Sequence, residues 1–286
     1  MKYIYLMRPK HYIKNVLIFL PLFFSGKFLS VNSIITVVVA FFCFSFIASS
    51  IYILNDIKDK EKDKQHPTKC KRLLASGKVS IFAAIVLICF LILVTAMIIY
   101  LMKMPLVAIC FLLLYIVINI FYSFGMKNIP IIDVFIVVCG FILRILYGAA
   151  LFNIEVSNWL YLTILSISFY FALGKRRGEI VHSGEKSREV LKFYNQEFLD
   201  KNMYMFLSMA IVFYSLWATD GFLVSETNNL LIWTIPFIIL ICMKYSLIIE
   251  GNCDGDPINV IFKDKILILL MFILIIMLFY ILYFSG

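Results

Sequence analysis

About nine apolar runs, each near the length that carries an α-helix across a hydrocarbon core, constrain this chain more than any other feature. They lie at roughly 14–30, 34–54, 80–101, 104–124, 131–152, 157–174, 203–220, 229–249 and 266–284. The first contains Pro21 and is the weakest. Hydrophobic residues make up 63% of the 286, and the mean hydropathy is +0.98. Soluble domains are roughly half apolar. The expected fold class is therefore all-α, a polytopic membrane protein with about nine transmembrane helices. No cleavable leader is expected. Arg8, Pro9, Lys10 and Lys14 precede an apolar run that lacks a small-residue cleavage site.

Basic residues set the expected orientation. With the N-terminus in the cytosol, the even connections and the N-terminal segment hold nearly all the Lys and Arg residues. Lys27, Lys103 and Arg144 are among the exceptions. The net charge of +9 is then a topology signal with a component for anionic headgroups. Nucleic-acid binding is excluded as a function class, because no soluble basic domain exists to carry it. The seven cysteines (Cys43, Cys70, Cys89, Cys110, Cys139, Cys242 and Cys253) are odd in number and form no C-x-x-C pair. They read as small packing residues rather than a disulfide framework or zinc site. His11, His66 and His182 are scattered without ligand spacing.

The connection from Tyr52 to Gly77, YILNDIKDKEKDKQHPTKCKRLLASG, carries the clearest chemistry. Asn55, Asp56, Asp59 and Asp63 form N-D-x-x-D-x-x-x-D. On a continuous helix, the three aspartates would stand in one row with Asn55 beside Asp59. Such a row repels itself unless a cation sits on it. Mg²⁺ suits it, because that ion takes a few carboxylates together with substrate phosphate oxygens. The competing reading is a solvated helix end, since Lys58, Lys60, Lys62 and Lys64 interleave. Downstream stand His66, Pro67, Lys69, Lys71 and Arg72, a basic cluster able to meet phosphates directly.

Other connections add candidates. Residues 1–15 mix aromatics and bases, as an interfacial helix would. Lys14 and Asn15 either anchor it or face a phosphate. Tyr122 and Lys127 sit at the junction of two runs, followed by Asp133. Gly140, Arg144 and Gly148 are spaced by four and share a face. Arg144 lies about 16 Å along the helix from Asp133. An arginine at that depth faces a wet cavity and binds phosphate or carboxylate, or it forms a structural ion pair. The longest connection opens with G-K-R-R-G-E, Gly174 to Glu179, and continues through Glu185, Arg188 and Glu189. A loop this long is often a lid. Asp254, Gly255, Asp256 and Pro257 form turn chemistry without a calcium-loop pattern. Glu155, Asp220 and Glu226 read as solvated outer-loop acids.

The acidic row with the basic frame from His66 to Gly77 closely resembles the first aspartate-rich motif of the UbiA superfamily of intramembrane prenyltransferases. More narrowly, it is similar to the decaprenyl-phosphate phosphoribosyltransferase branch. That branch has H-P-x-K-R-x-R-P-I-A-x-G, where this chain has Cys70 for an arginine and Leu73 for a proline. Further matches are R-P-K-x-x-x-K-N (Arg8 to Asn15), Y-S-x-x-x-K (Tyr122 to Lys127), G-F-x-L-R (Gly140 to Arg144) and G-K-R-x-x-E (Gly174 to Glu179). The last stands where many prenyltransferases carry a second D-x-x-x-D, which favours the phosphoribosyl branch.

The resemblance implies one transmembrane domain over residues 1–286, with about nine helices around a central cavity. It implies a multi-pass plasma-membrane protein with its active site on the cytosolic side. The implied donor is 5-phosphoribosyl 1-diphosphate and the implied acceptor a polyprenyl phosphate, in cell-envelope biosynthesis. Mg²⁺ on Asp56, Asp59 and Asp63 would clamp the diphosphate. Lys69, Arg72, Lys175 and Arg176 would neutralise donor phosphates. Asn55 and Tyr122 would line the substrate site, and Arg144, Lys14, Asn15 or Lys127 would orient the lipid phosphate. Glu179 would touch a second metal or the ribose hydroxyls. A homo-oligomer stays open. The alternatives are isoprenyl transfer to an aromatic acceptor, and a membrane transporter. Charges gathered at one face argue against transport.

Overall fold

The structure is a computed structural model that describes residues 2–65, 69–183, 189–220, 229–251 and 255–284. His66, Pro67, Glu185, Arg188, Glu226, Cys253, Asp254 and the His182 side chain lie outside the described residues. The α-helices are α1 Lys2–Leu6, α2 Leu20–Phe24, α3 Val31–Lys58, α4 Lys60–Lys64, α5 Ile81–Leu101, α6 Leu106–Ser123, α7 Ile132–Leu151, α8 Asn158–Ser183, α9 Gln196–Ala218, α10 Ile235–Glu250, α11 Pro257–Lys263 and α12 Lys265–Phe284. Short 3₁₀ stretches join several of them. No strand occurs among the described residues.

Among the described residues, six stretches are long and apolar enough to cross a membrane: α3, α5, α6, α7, Leu230–Glu250 and α12. The protein is an all-helical, multi-pass membrane protein. Length and apolarity in the described residues do not by themselves confirm the expected count of nine spans. The run at 157–174 is helix α8, which carries Thr163, Ser166 and Ser168 with each hydroxyl returned to the carbonyl four residues back. The run at 203–220 lies in α9. The run at 14–30 is not one helix.

That first run begins as an unusually long 3₁₀ segment, Pro9–Phe19, which passes directly into α2. Such segments seldom exceed three or four residues. Three residues per turn bring every third side chain to one face. The pattern shows in the burial: Asn15, Ile18 and Pro21 are buried, while Ile13 and Val16 are exposed.

The described chain sorts into two compact units, residues 1–124 with 143–154, and residues 125–142 with 155–286. In the first, α3 is the buried helix. Its 28 residues extend about 42 Å, beyond the roughly 30 Å of hydrocarbon, so its charged last turns reach past the apolar layer. Val37, Ala40, Cys43, Phe44, Ile47, Ala48 and Ile51 pack with Ile18, Leu22, Ala108, Leu112, Tyr115, Leu143 and Tyr147. A second cluster of Leu6, Ile53, Leu74, Val79, Ala84 and Leu91 supports the charged end of α3. Gly148 meets the 3₁₀ segment backbone to backbone. A Cβ there would lie 2.2 Å from the Ile18 carbonyl oxygen.

In the second unit α8 and α9 pack along their length, with Phe169 stacked on Phe206 at 4.5 Å. The Tyr170 and Ser246 hydroxyls meet at 2.7 Å, tying α8 to α10. The Tyr214 and Thr234 hydroxyls meet at 2.6 Å.

Candidate active site

The acidic row lies at the end of α3, and the expected continuous helix face breaks there. Helix α3 stops at Lys58, Asp59 takes φ −86° and ψ 3°, and α4 restarts at Lys60. Across the break, Asp63 shares a partner with Asp56. Arg72 Nη1 donates to Asp56 Oδ1 at 3.0 Å and to Asp63 Oδ2 at 2.7 Å. Arg8 adds a second guanidinium, with Nη2 2.5 Å from Asp56 Oδ1. Both carboxylates are buried, Asp56 at 5% and Asp63 at 4% exposure, and each is paired with a guanidinium. Asp59 and Lys69 are half-buried and belong to the same connection.

Around this cluster the Ser123 hydroxyl donates to the Asn55 side-chain oxygen. Lys58 Nζ donates to the Ser123 carbonyl at 2.7 Å and lies 3.7 Å from the centre of the Phe124 ring. Arg8 has φ 55° and ψ 57°, the left-handed region, and its guanidinium carbon lies 5.5 Å from the Tyr52 ring centre. Tyr122 is half-buried at the end of α6.

Among the described residues no three His, Cys, Asp or Glu side chains gather into a metal cage. The donor set still fits Mg²⁺. That ion commonly binds through one or two carboxylates plus substrate phosphates and water. Asp56 and Asp63 form such a pair, and the Arg72 guanidinium lies between them. The fit is to an ion held jointly with a phosphorylated substrate.

Arg144 is 4% exposed and forms a separate site deeper in the same unit. Its Nε donates to Asn15 Oδ1 at 2.7 Å and its Nη2 to the Tyr115 hydroxyl at 3.1 Å. The guanidinium lies 5.0 Å from the Phe44 ring centre and 4.9 Å from that of Tyr115. Asn15 Nδ2 donates onward to Ser45 Oγ at 2.8 Å. Aromatic faces and an amide thus offset much of the burial of this charge. Asn15 is committed to Arg144 in this arrangement, and Lys14 beside it is half-buried.

The second unit holds Lys127, Lys175, Arg176 and Glu179. Three consecutive cations each find a different acid. Lys175 Nζ is 3.6 Å from Asp256 Oδ2. Arg176 Nε donates to Asp133 Oδ2 at 2.6 Å and its Nη1 to Glu179 Oε2 at 2.9 Å. Arg177 Nε donates to Asp200 Oδ1 at 2.5 Å, and its Nη1 to the Ile249 carbonyl at 3.2 Å. Gly255, at φ +70°, crosses Gly174 so closely that a Cβ would sit 2.3 Å from its carbonyl oxygen. The turn Gly255–Asp256 is therefore seated directly on the G-K-R-R run.

The other Asp133 oxygen, Oδ1, accepts from the Tyr194 hydroxyl at 2.6 Å. Burial raises the Tyr194 phenol above its ordinary range, and the hydrogen bond to Asp133 adds to the rise. The neutral phenol is thus the stable form and an obligate donor to the carboxylate.

The sequence reading named Asp56, Asp59, Asp63, Arg72 and Asn55, which lie in one connection. It did not find Arg8, Ser123, Tyr115 or Tyr194. Arg8 lies 48 positions from Asp56 and Tyr194 lies 61 from Asp133. No local spacing links such pairs.

Comparison with known proteins fits this picture. The family model for the UbiA prenyltransferase family matches residues 17–176. The decaprenyl-phosphate phosphoribosyltransferase of Corynebacterium glutamicum is 33% identical over 91% of this chain and 80% of its own length. That of Mycolicibacterium smegmatis is 31% identical over 91% of this chain and 86% of its own. A UbiA homolog from Archaeoglobus fulgidus, solved with DMAPP and Mg²⁺, superposes with a TM-score of 0.71 over 99% of both chains at 17% identity, a likeness of fold. The chain belongs to the UbiA prenyltransferase family.

Proposed function

We propose that the protein transfers 5-phosphoribose from 5-phosphoribosyl 1-diphosphate to a polyprenyl phosphate. The products are polyprenyl-phosphoryl 5-phosphoribose and diphosphate. One observation carries the diphosphate half of this reading. Two buried carboxylates, Asp56 and Asp63, share a guanidinium at the charged end of a membrane helix. The relatives named as decaprenyl-phosphate phosphoribosyltransferases support the choice of donor and acceptor.

Asp56 and Asp63, with Asp59 beside them in the chain, would hold Mg²⁺, which supplies charge neutralisation for the leaving diphosphate. Arg72 would turn from the carboxylates to the donor phosphates, Lys175 would do the same from Asp256, and Lys69 would add a further cation. Arg176 is committed to Asp133 and Glu179, so its part is to fix Glu179 rather than to bind phosphate. Glu179 would meet a second metal or the ribose hydroxyls. Asn55 and Tyr122 line the donor side. The acceptor is already an anion, so no protein nucleophile is needed. As the C1–O bond to diphosphate breaks, positive charge grows at C1 and a lipid phosphate oxygen attacks it. The protein contributes positioning and electrostatics. Lys14, Lys127 or Arg144 would orient the lipid phosphate, Arg144 through its hold on Asn15. The basic connections support a cytosolic side of the plasma membrane for this chemistry.

The test is transfer of labelled phosphoribose into lipid by the purified protein with Mg²⁺. Chelation should abolish transfer and restored Mg²⁺ should return it. Asp56→Ala should lose about 100-fold or more. Near-normal turnover in Asp56→Ala would end the assignment of the carboxylates. Transfer from an isoprenyl diphosphate to an aromatic acid, in place of phosphoribosyl transfer, would overturn the donor.

A further inference from the structure

Ile131 precedes α7 with φ +67°. A β-branched residue is a genuine outlier there, because its Cβ crowds the backbone. Packing does not compensate, since the Ile131 side chain is 61% exposed. What the turn does have is a hydrogen bond. The Ile131 amide donates to the Tyr194 hydroxyl at 2.6 Å, and that hydroxyl donates in turn to Asp133 Oδ1 at 2.6 Å. Tyr194 is buried, and Asp133 is fully buried. The Asp133 carboxylate is held from its other side by Arg176, which reaches Glu179. The 3₁₀ turn Met126–Asn128, which carries Lys127, also packs on the 3₁₀ segment Glu189–Phe193 just before Tyr194.

One phenol thus receives a strained amide from the α6–α7 connection and serves a buried carboxylate at the start of α7. It does so from the α8–α9 connection. Strain of this kind persists where the surroundings over-determine it, and it gathers at functional sites. We propose that Tyr194 is a positioning residue that latches the Ile131 turn, and with it the Lys127 segment, to the Asp133–Arg176–Glu179 network. Its role at the lipid phosphate rests on the function proposed above, through Lys127. The latch itself does not.

Two measurements separate those levels. Amide exchange of the intact protein in lipid nanodiscs reads the latch without any substrate. Tyr194→Phe removes one oxygen and should speed exchange at Ile131 about tenfold or more. Unchanged exchange there overturns the latch. The second measurement is phosphoribosyl transfer. Tyr194→Phe should raise KM for polyprenyl phosphate several-fold while kcat stays within about twofold.

Strain relief then supplies a control that a merely structural role would not answer. Glycine adopts positive φ without crowding. In the Ile131→Gly background, Tyr194→Phe should therefore cost less than about twofold in KM. An equal KM penalty in both backgrounds overturns the positioning role, as does faster exchange with no change in KM. Should Tyr194→Phe fail to fold, the double variant decides. Recovery of folding supports the latch, and continued failure overturns it. If no phosphoribosyl transfer occurs in the unsubstituted protein, the functional reading falls and the exchange result still stands alone.

Discussion

At Arg72, a single Nη1 serves two buried carboxylates at once. Removing it leaves Asp56 with Arg8 and takes from Asp63 its guanidinium partner. We expect Arg72→Met to lower stability by about 1–3 kcal/mol, the cost of a charged buried group losing its hydrogen bond. It should also raise KM for the diphosphate donor more than KM for the lipid. Thermal unfolding and separate titration of the two substrates check this. A donor KM that does not move would make Arg72 a structural counter-ion only. The carboxylates were legible in the sequence, since N-D-x-x-D-x-x-x-D shows itself within nine positions. Their arrangement was not. A helical ladder would have set three acids in one row, and the break at Asp59 brings two of them to one guanidinium instead. A run of alternating Lys and Asp gives no propensity signal strong enough to show where a helix will stop.

At the scale of elements, the spacing put Gly140, Arg144 and Gly148 on one face of α7, where small residues let backbones approach. It could not show what approaches. Gly148 meets the Ile18 carbonyl of the 3₁₀ segment, and four residues earlier Arg144 takes Asn15 from the same segment. One face of α7 thus fixes the N-terminal segment by contact at one level and by hydrogen bonding at the next. Gly148→Ala puts a methyl against backbone rather than against a flexible side chain. We expect it to cost about 1–3 kcal/mol, read as a lower midpoint of thermal unfolding. Unchanged stability would show that the segment can slide. The intramembrane arginine signalled a functional or structural need, and the structure answers with Asn15, Tyr115 and two ring faces. Neutral partners of this kind have no sequence signature, because any buried amide or phenol could serve.

For the molecule as a whole, the apolar runs gave fold class directly, since only a helix satisfies its backbone within one segment in lipid. Length and apolarity alone pick out six crossings among the described residues. Polar hydroxyls in α8 and the 3₁₀ path of the first run lower the apolar length without removing the segment from the fold. The positive-inside pattern leads to a prediction at this scale. In sealed vesicles, externally added phosphoribosyl diphosphate should be consumed by inside-out preparations. Right-side-out ones should stay inactive until permeabilised. Equal activity in both would reverse or scramble the orientation.

The stretch from Pro9 to Phe19 carries a last consequence. A backbone wound at three residues per turn rotates each added position by a third of a circle. Substitutions along it alter one contact apiece. A single inserted or deleted residue between Tyr12 and Asn15 would instead swing the Asn15 amide off Arg144, and everything beyond it, by 120°. This thin rod is therefore tolerant of spelling and intolerant of length.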